Sequence, residues 1–409
     1  VTDKGIDSED RAAALAAAVE SARPQDRPSP VTNLFGLDRA QLRAAFAAMG
    51  EKPYRADQVM QWIYRRGQDG FDGMSNLSKD LRARLARHFE IRTPELVTEQ
   101  VSTDGTRKWV LRLDGGNAIE TVYIPEEGRA TLCISSQVGC AMDCSFCSTA
   151  QQGFNRNLTT AEIIAQVWFA ARTLGGDFHG QHWKDRDQPE DERGGRVISN
   201  IVFMGMGEPL ANYNAVLPAI RILLDDFGFG LSKRRVTVST SGLVPYMDRL
   251  REDVDTALAV SLHAPDDALR DEIVPINRKY PIAELLDACR RYTAGKDRKT
   301  HIVYEYVMLD GINDRPEHAR KLAKLLAGMP AKVNLIPFNP FPQTRYRRSS
   351  PEAIQAFAKI LRDKHILTTT RKTRGDDIDA ACGQLVGKVM SRQKNRLGTR
   401  IGDVPVTTA

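Results

Sequence analysis

The sequence predicts an α/β fold: a partial, open barrel of six strand–helix units, with a doubly wound sheet as the alternative. Three observations predict it. Six short apolar runs read as strands: "TLCISS" (131–136), "NIVFMG" (200–205), "RVTVST" (235–240), "ALAVSL" (257–262), "IVYEYVML" (302–309) and "VNLIPF" (333–338). Each is followed by a stretch of helical periodicity, as parallel βα units require. Six units fall short of the eight that close a barrel.

Residues 1–35 read as a flexible tail; its first part is net acidic and ends in "RPQDRPSP". Residues 36–95 carry three helical patterns, "LDRAQLRAAFAAMG", "RADQVMQWIYRRG" and "SKDLRARLARHF". Their apolar residues recur at helical spacing and their other faces are rich in Arg and Lys. This is a small helical accessory domain, with RNA contact as one use for its basic faces. Over 96–125 the period changes to two, and "RKWVLRL" and "AIETVYI" read as a β-hairpin extension. Residues 126–381 hold the strand–helix repeats. Among their helices, "TTAEIIAQVWFAARTL" opens on a Thr159-x-x-Glu162 capping box, and "PEHARKLAKLLAG" opens on Pro316. Residues 175–196 are polar and Gly-rich and read as a surface insertion. His179 and His182 lie there without patterned partners, so they do not read as metal ligands. Residues 382–409 form a C-terminal segment with a basic tail.

Composition narrows the class. The chain has 409 residues, 42% hydrophobic and 27% charged, as in soluble globular proteins. No apolar run reaches the roughly 18 residues of a membrane span. The N-terminal stretch lacks a basic-then-apolar signal pattern, so a cytoplasmic protein is expected. Net charge is +6, which permits nucleic-acid binding without establishing it. Six cysteines are too few for a disulfide scaffold.

Three of them crowd into "GCAMDCSFCSTA", as Cys140-x3-Cys144-x2-Cys147. Structural zinc wants four ligands, commonly as two separated pairs. Three thiolates on one loop instead suit three corners of a [4Fe–4S] cube and leave one iron open to a small molecule. Phe146 stands ready to shield such a cluster.

Cys-x3-Cys-x2-Cys after the first strand of a partial barrel resembles the radical S-adenosylmethionine (SAM) superfamily. That resemblance implies that SAM chelates the fourth iron and is cleaved by one electron to a 5′-deoxyadenosyl radical. "CSTAQQGFNRNLT" (147–159), "FMGMGEPL" (203–210), "VSTSG" (238–242), "SLHAP" (261–265), "IPFNPF" (336–341) and "TRGDDIDAACGQL" (373–385) together resemble the RlmN/Cfr group of radical SAM RNA methyltransferases. The likeness runs over roughly residues 36–390. "STAQQGFN" is similar to the RlmN branch, which methylates C2 of adenosine in 23S rRNA, at the peptidyl transferase centre, and in tRNA. The Cfr branch, methylating C8, is the alternative.

The resemblance assigns roles. C2 of adenine is electron-poor and will not displace a methyl group by polar attack, so the methyl is first parked on the protein. Cys382 would accept it from a first SAM, as a thiolate nucleophile can. A second SAM would supply the radical, so two are used per turnover, and the S-methylene carbon would join C2 in a covalent RNA–protein adduct. Cys133 would attack the Cys382 sulfur, close a disulfide and free the base. Glu120 matches the proton acceptor, although the residues alone leave Glu126 and Glu127 equally plausible. Gly207 and Glu208, Ser239, Ser261 with Leu262 and His263, and Asn339 fall at successive strand ends and would bind SAM. "RKTRG" (371–375) and "KVMSRQKNRLGTR" (388–400) are candidate phosphate contacts. Cys289 reads as a core residue. An external electron donor of the flavodoxin type, a monomeric state and no membrane partner complete the expectation.

Overall fold

The computed structural model describes residues 31–175, 197–297, 300–342, 344–378, 380 and 383–385. Residues 1–30, His179 and His182 of the insertion, Cys382 and the basic tail lie outside these residues; the end of the expected flexible tail is instead structured, with Thr32–Asn33 in a strand and Leu34 and Phe35 buried in the core.

The three predicted helices form as α1 (Arg39–Ala48), α2 (Pro53–Arg66) and α3 (Lys79–His88). Asp38 and Gln41 cap α1 reciprocally: each side chain accepts the other's backbone N–H at 2.9 Å. A short parallel pair, β1 (Thr32–Asn33) and β2 (Phe89–Glu90), ties the two ends of this region together.

The main sheet starts with an antiparallel run. It comprises β3 (Glu95–Val101), β4 (Arg107–Arg112), β5 (Ala118–Glu126) and β6 (Arg129–Cys133). Of these, β4, β5 and β6 are expected from the sequence and β3 is not. β3 is exposed along its whole length and shows no inward apolar face. From β6 the chain passes through β7 (Gln137–Gly139), α4 (Ser148–Gln151) and β8 (Phe154–Asn157) into α5 (Thr160–Thr173). β7 and β8 pair with each other and bracket the cysteine loop. Thr159 caps α5 with Glu162 as expected.

The parallel strands then follow with their helices. They are β9 (Asn200–Phe203), α6 (Tyr213–Leu224), β10 (Val236–Thr240), α7 (Val244–Asp253) and β11 (Ala257–Ser261). After these come α8 (Asp267–Ile273), α9 (Ile282–Thr293), β12 (Ile302–Met308), α10 (Pro316–Leu325), β13 (Ala331–Pro337), α11 (Pro351–Asp363) and β14 (Leu367–Thr370). Strand order across the sheet is β14-β13-β12-β11-β10-β9-β6-β5-β4-β3. All six predicted parallel strands are present, and β14 adds a seventh at the edge. Its "LTTT" is mostly exposed and too short to stand out as a pattern. The two outer strands, β14 and β3, do not pair with each other, so among the described residues the barrel is open.

Apolar side chains of the parallel strands, among them Phe203, Val238, Val260, Tyr304 and Leu335, are almost wholly buried. The N-terminal helices join the barrel through α5. Trp168 lies 5.6 Å from the Phe35 ring and donates its indole N–H to the Ile63 carbonyl at 3.1 Å.

Candidate active site

A cavity of about 940 Å³, mouth included, opens at the C-terminal ends of the parallel strands. Open sheets and barrels place their chemistry at this end because loops can converge there over a rigid base. Cys140, Cys144 and Cys147 line it, as do Gly207, Glu208, Ser239, Ser261, His263 and Asn339. The cavity thus gathers nine of the predicted residues. Leu262 is fully buried outside the lining, and only its backbone serves the site: its N–H reaches the Glu305 carbonyl at 3.1 Å. Cys133 and Glu120 do not line the cavity. Cys133 ends β6, opposite Val122 of β5 and Val202 of β9, and is buried. Glu120 is buried on β5, with the Lys108 ammonium at 3.7 Å.

The cysteine loop is shaped by backbone. Gly139 sits at φ 75°, and a β-carbon there would fall 1.9 Å from the Gly153 carbonyl oxygen. Only glycine lets β7 and β8 approach so closely. Burial pushes the Cys140 and Cys144 thiols well above their ordinary range, and the neighbouring thiols add to the push. Three such thiolates would repel one another in a poorly solvated site. Iron centres relieve both penalties, so this donor set fits a cluster. Among the described residues no three His, Cys, Asp or Glu side chains converge as they would around a single ion. Three thiolates on one loop also fall short of the four ligands that structural zinc takes.

Glu208 is fixed from three sides. Its side chain accepts from Leu210 N–H at 3.0 Å, Ser241 N–H at 2.7 Å and Ser241 hydroxyl at 2.9 Å. Its own N–H donates to the Gln137 side chain at 2.9 Å. Burial nevertheless raises its pKa, with those donors opposing the shift. Gly207 beside it has φ 98°, and a β-carbon would lie 2.5 Å from that of Gln137. His263 accepts from Val307 N–H through Nδ1 at 3.0 Å. Burial lowers its pKa to about 3, so the ring is neutral and carries its proton on Nε2. Phe146 meets it edge-on, with ring centres 4.7 Å apart.

The sequence reading missed a polar row across the barrel. Ser261, Glu305, Asn334 and Thr369 are aligned in register on β11 to β14. Asn334 donates to Glu305 Oε2 at 2.9 Å and accepts from the Thr369 hydroxyl at 3.1 Å. A carboxylate inside the apolar run "IVYEYVML" was the available signal. Burial raises the Glu305 pKa, and the charge of Arg371 opposes it. Of the "RKTRG" run, Arg371 lines the cavity, Lys372 is exposed and Arg374 faces Asp104 at 3.6 Å. A smaller cleft shares Ile336, Asn339 and Arg371 with the main cavity and extends to Ile124, Arg374 and Ala380. Gly383, which follows Cys382 in sequence, also lines the main cavity. Its carbonyl accepts from Ser148 N–H at 2.8 Å, one residue past Cys147.

The chain is similar to known proteins over most of its length. Residues 32–91 match the ribosomal RNA large subunit methyltransferase N-terminal domain, and residues 190–323 match the radical SAM superfamily. A dual-specificity RNA methyltransferase RlmN from Alkalilimnicola ehrlichii is 57% identical over 89% of this chain and 96% of its own. The crystal structure of a radical SAM methyltransferase from Sphaerobacter thermophilus superposes with a TM-score of 0.77 at 45% identity, covering 87% of this chain and 99% of that one. With the cysteine loop, the open barrel and a relative of this identity over nearly its full length, the chain belongs to the RlmN family of radical SAM RNA methyltransferases.

Proposed function

We propose that this chain methylates C2 of an adenosine in 23S rRNA and in tRNA, with Cys382 as methyl acceptor and Cys133 as resolving thiol. The observation that carries the proposal is the position of Gly383. The residue next to Cys382 lines the same cavity as Cys140, Cys144 and Cys147 and is hydrogen-bonded to the start of α4. When bound, a [4Fe–4S] cluster supplies the single electron that cleaves SAM.

The chain's own residues do the rest. Cys140, Cys144 and Cys147 would hold three irons. Gly207, Glu208, Ser239, Ser261, His263 and Asn339 would enclose SAM, with Glu208 at its amino end and Asn339 at its adenine edge. The Cys382 thiolate takes the methyl group as the methyl–sulfonium bond breaks. The S-methyl carbon would give a hydrogen atom to the 5′-deoxyadenosyl radical and join C2, the adduct would return one electron to the iron–sulfur centre, and Glu120 would then accept the C2 proton. The Lys108 ammonium lies 3.7 Å from that carboxylate. The Cys133 thiolate then attacks the Cys382 sulfur. A disulfide forms, the sulfur–carbon bond breaks, and its electron pair stays with the released carbon, which takes up a proton and becomes the methyl group on the base. A flavodoxin-type donor would reduce the protein, a monomer would suffice, and the cytoplasm would supply both RNAs. Among the described residues no helix is long and apolar enough to cross a membrane.

Substituting each thiol tests the order of events. Cys382→Ala should lose methylation by at least 100-fold while the cluster stays bound. Cys133→Ala should stall after carbon–carbon bond formation and accumulate RNA covalently attached to protein, visible as a nuclease-sensitive band shift in a denaturing gel. A Cys133→Ala protein that turns over at the wild-type rate would remove Cys133 from the mechanism.

A further inference from the structure

Arg270, in "DDALRDEI", lies on α8 and has no exposed surface. Its guanidinium makes four hydrogen bonds, three of them to carbonyls at the strand ends that frame the cavity. Nε donates to the Leu262 carbonyl at 3.0 Å, and Nη2 donates to the Ser241 and Ser261 carbonyls at 2.6 and 3.0 Å. Nη1 donates to Asn277 Oδ1 at 2.8 Å. None of these acceptors carries a full charge. Asp267 and Asp271 bond instead to the Asn277 amide, at 2.9 and 2.6 Å, so the carboxylates are one residue removed from the cation. Asp267 and Asp271 offset part of the cost of burying this cation through space, and a further negative group nearby offsets more.

The cavity offers such a group. α8 is joined to the cysteine loop by Ser145 N–H, which donates to the Ile273 carbonyl at 3.2 Å. Arg270 also shares Ser241 with the cavity-lining Glu208: the Ser241 N–H and hydroxyl hold Glu208, and its carbonyl holds the guanidinium. A four-iron cluster on three thiolates is net negative, and one-electron reduction adds one more negative charge. A fixed cation beside it favours the reduced form and raises the potential. We propose that Arg270 is the buried counter-charge of the cluster, a positioning residue that both joins the SAM-binding strand ends and eases reduction. The inference rests on the reading of Cys140, Cys144 and Cys147 as cluster ligands. Burial lowers the Arg270 pKa to about 10, which leaves it charged at neutral pH; the Cys144 thiol is first among the groups that oppose the shift.

The test is a mediator-controlled redox titration of the full chain, reconstituted anaerobically with iron and sulfide and followed by electron paramagnetic resonance. Wild type, Arg270→Gln and Arg270→Lys are compared. At the wild-type midpoint the Gln variant should show a reduced-to-oxidised ratio at least tenfold lower. The Lys variant should stay within threefold of wild type at pH 7, because it keeps the charge. Its potential should then fall with rising pH more steeply than wild type's, since a buried ammonium can lose its proton and a guanidinium does not. The other groups around this point (Cys144, Asp267, Asp271, Cys289 and His263) are shared by all three proteins, so the difference reports position 270. If the Gln variant does not fold, the pH slope of the Lys variant carries the test alone. A folded Gln variant at the wild-type potential, or a Lys variant with the wild-type slope, overturns the inference and leaves only a structural role. A wild-type chain that binds no four-iron cluster overturns the site reading, and this inference with it.

Discussion

His263 shows how burial sets chemistry at a single position. The residue holds φ 59°, accepts a backbone N–H and is kept neutral, its pKa lowered to about 3. The folded pKa lies below the unfolded one. The ring therefore contributes stability that is complete above about pH 6.5 and is lost as pH falls toward 3. His263→Asn, which tolerates the same backbone angle, should flatten the loss of stability of the metal-free protein between pH 6 and 4, followed by urea unfolding. An unchanged slope would assign that acid sensitivity to other groups. Gly207 makes the steric counterpart. Gly207→Ala forces a β-carbon against Gln137 at a positive φ and should cost about 2 kcal/mol in the denaturant midpoint. At this scale the cysteines, Glu208 and His263 were legible because each stands in a short polar or glycine-rich stretch right after an apolar strand. Arg270 was not. In sequence it is one charge on a short charged helix, and only the folded chain reveals that it points inward.

Among the elements, the β7–β8 pair matters most to the site. Gly139 and Gly153 let it close around the cysteine loop. Gly139→Ala should separate the two strands and drop reconstituted iron below half of wild type, while the far-ultraviolet circular dichroism barely changes. Full iron content in that variant would mean that the loop does not depend on this pairing. Thr159→Ala removes the cap of the adjoining helix and should lower stability by about 1 kcal/mol. Caps, proline starts and the six apolar strands could be read directly because they are local signals. β3 and β14 escaped notice for a physical reason. Both are edge strands with largely exposed side chains, so neither carries the apolar alternation or burial that marks a strand in sequence. The row from Ser261 to Thr369 likewise exists only in the register of four strands.

For the whole molecule, the helical N-terminal region is packed onto the barrel through Trp168, which touches Phe35 and bonds to Ile63. Trp168→Ala should cost about 3 kcal/mol or more and loosen those helices first, readable as faster amide exchange over 39–88. Simultaneous loss of protection in the barrel would show that the two parts unfold as one. The β3–β4 turn reaches across to the stretch after β14: Ser102 hydroxyl and Thr103 N–H donate to Asp377 at 2.5 and 3.1 Å. Opposite ends of the open sheet are thus brought to the stretch that leads to Cys382, a juxtaposition that no local pattern in the sequence encodes.

The most direct test of the account is the identity of the methylated nucleoside. Reconstituted protein, a one-electron reductant and methyl-deuterated SAM are incubated with unmodified 23S rRNA or tRNA, and the digested RNA is analysed by mass spectrometry. The account predicts labelled 2-methyladenosine from both RNAs. Labelled 8-methyladenosine, or 5′-deoxyadenosine formed with no methylated base, would contradict it.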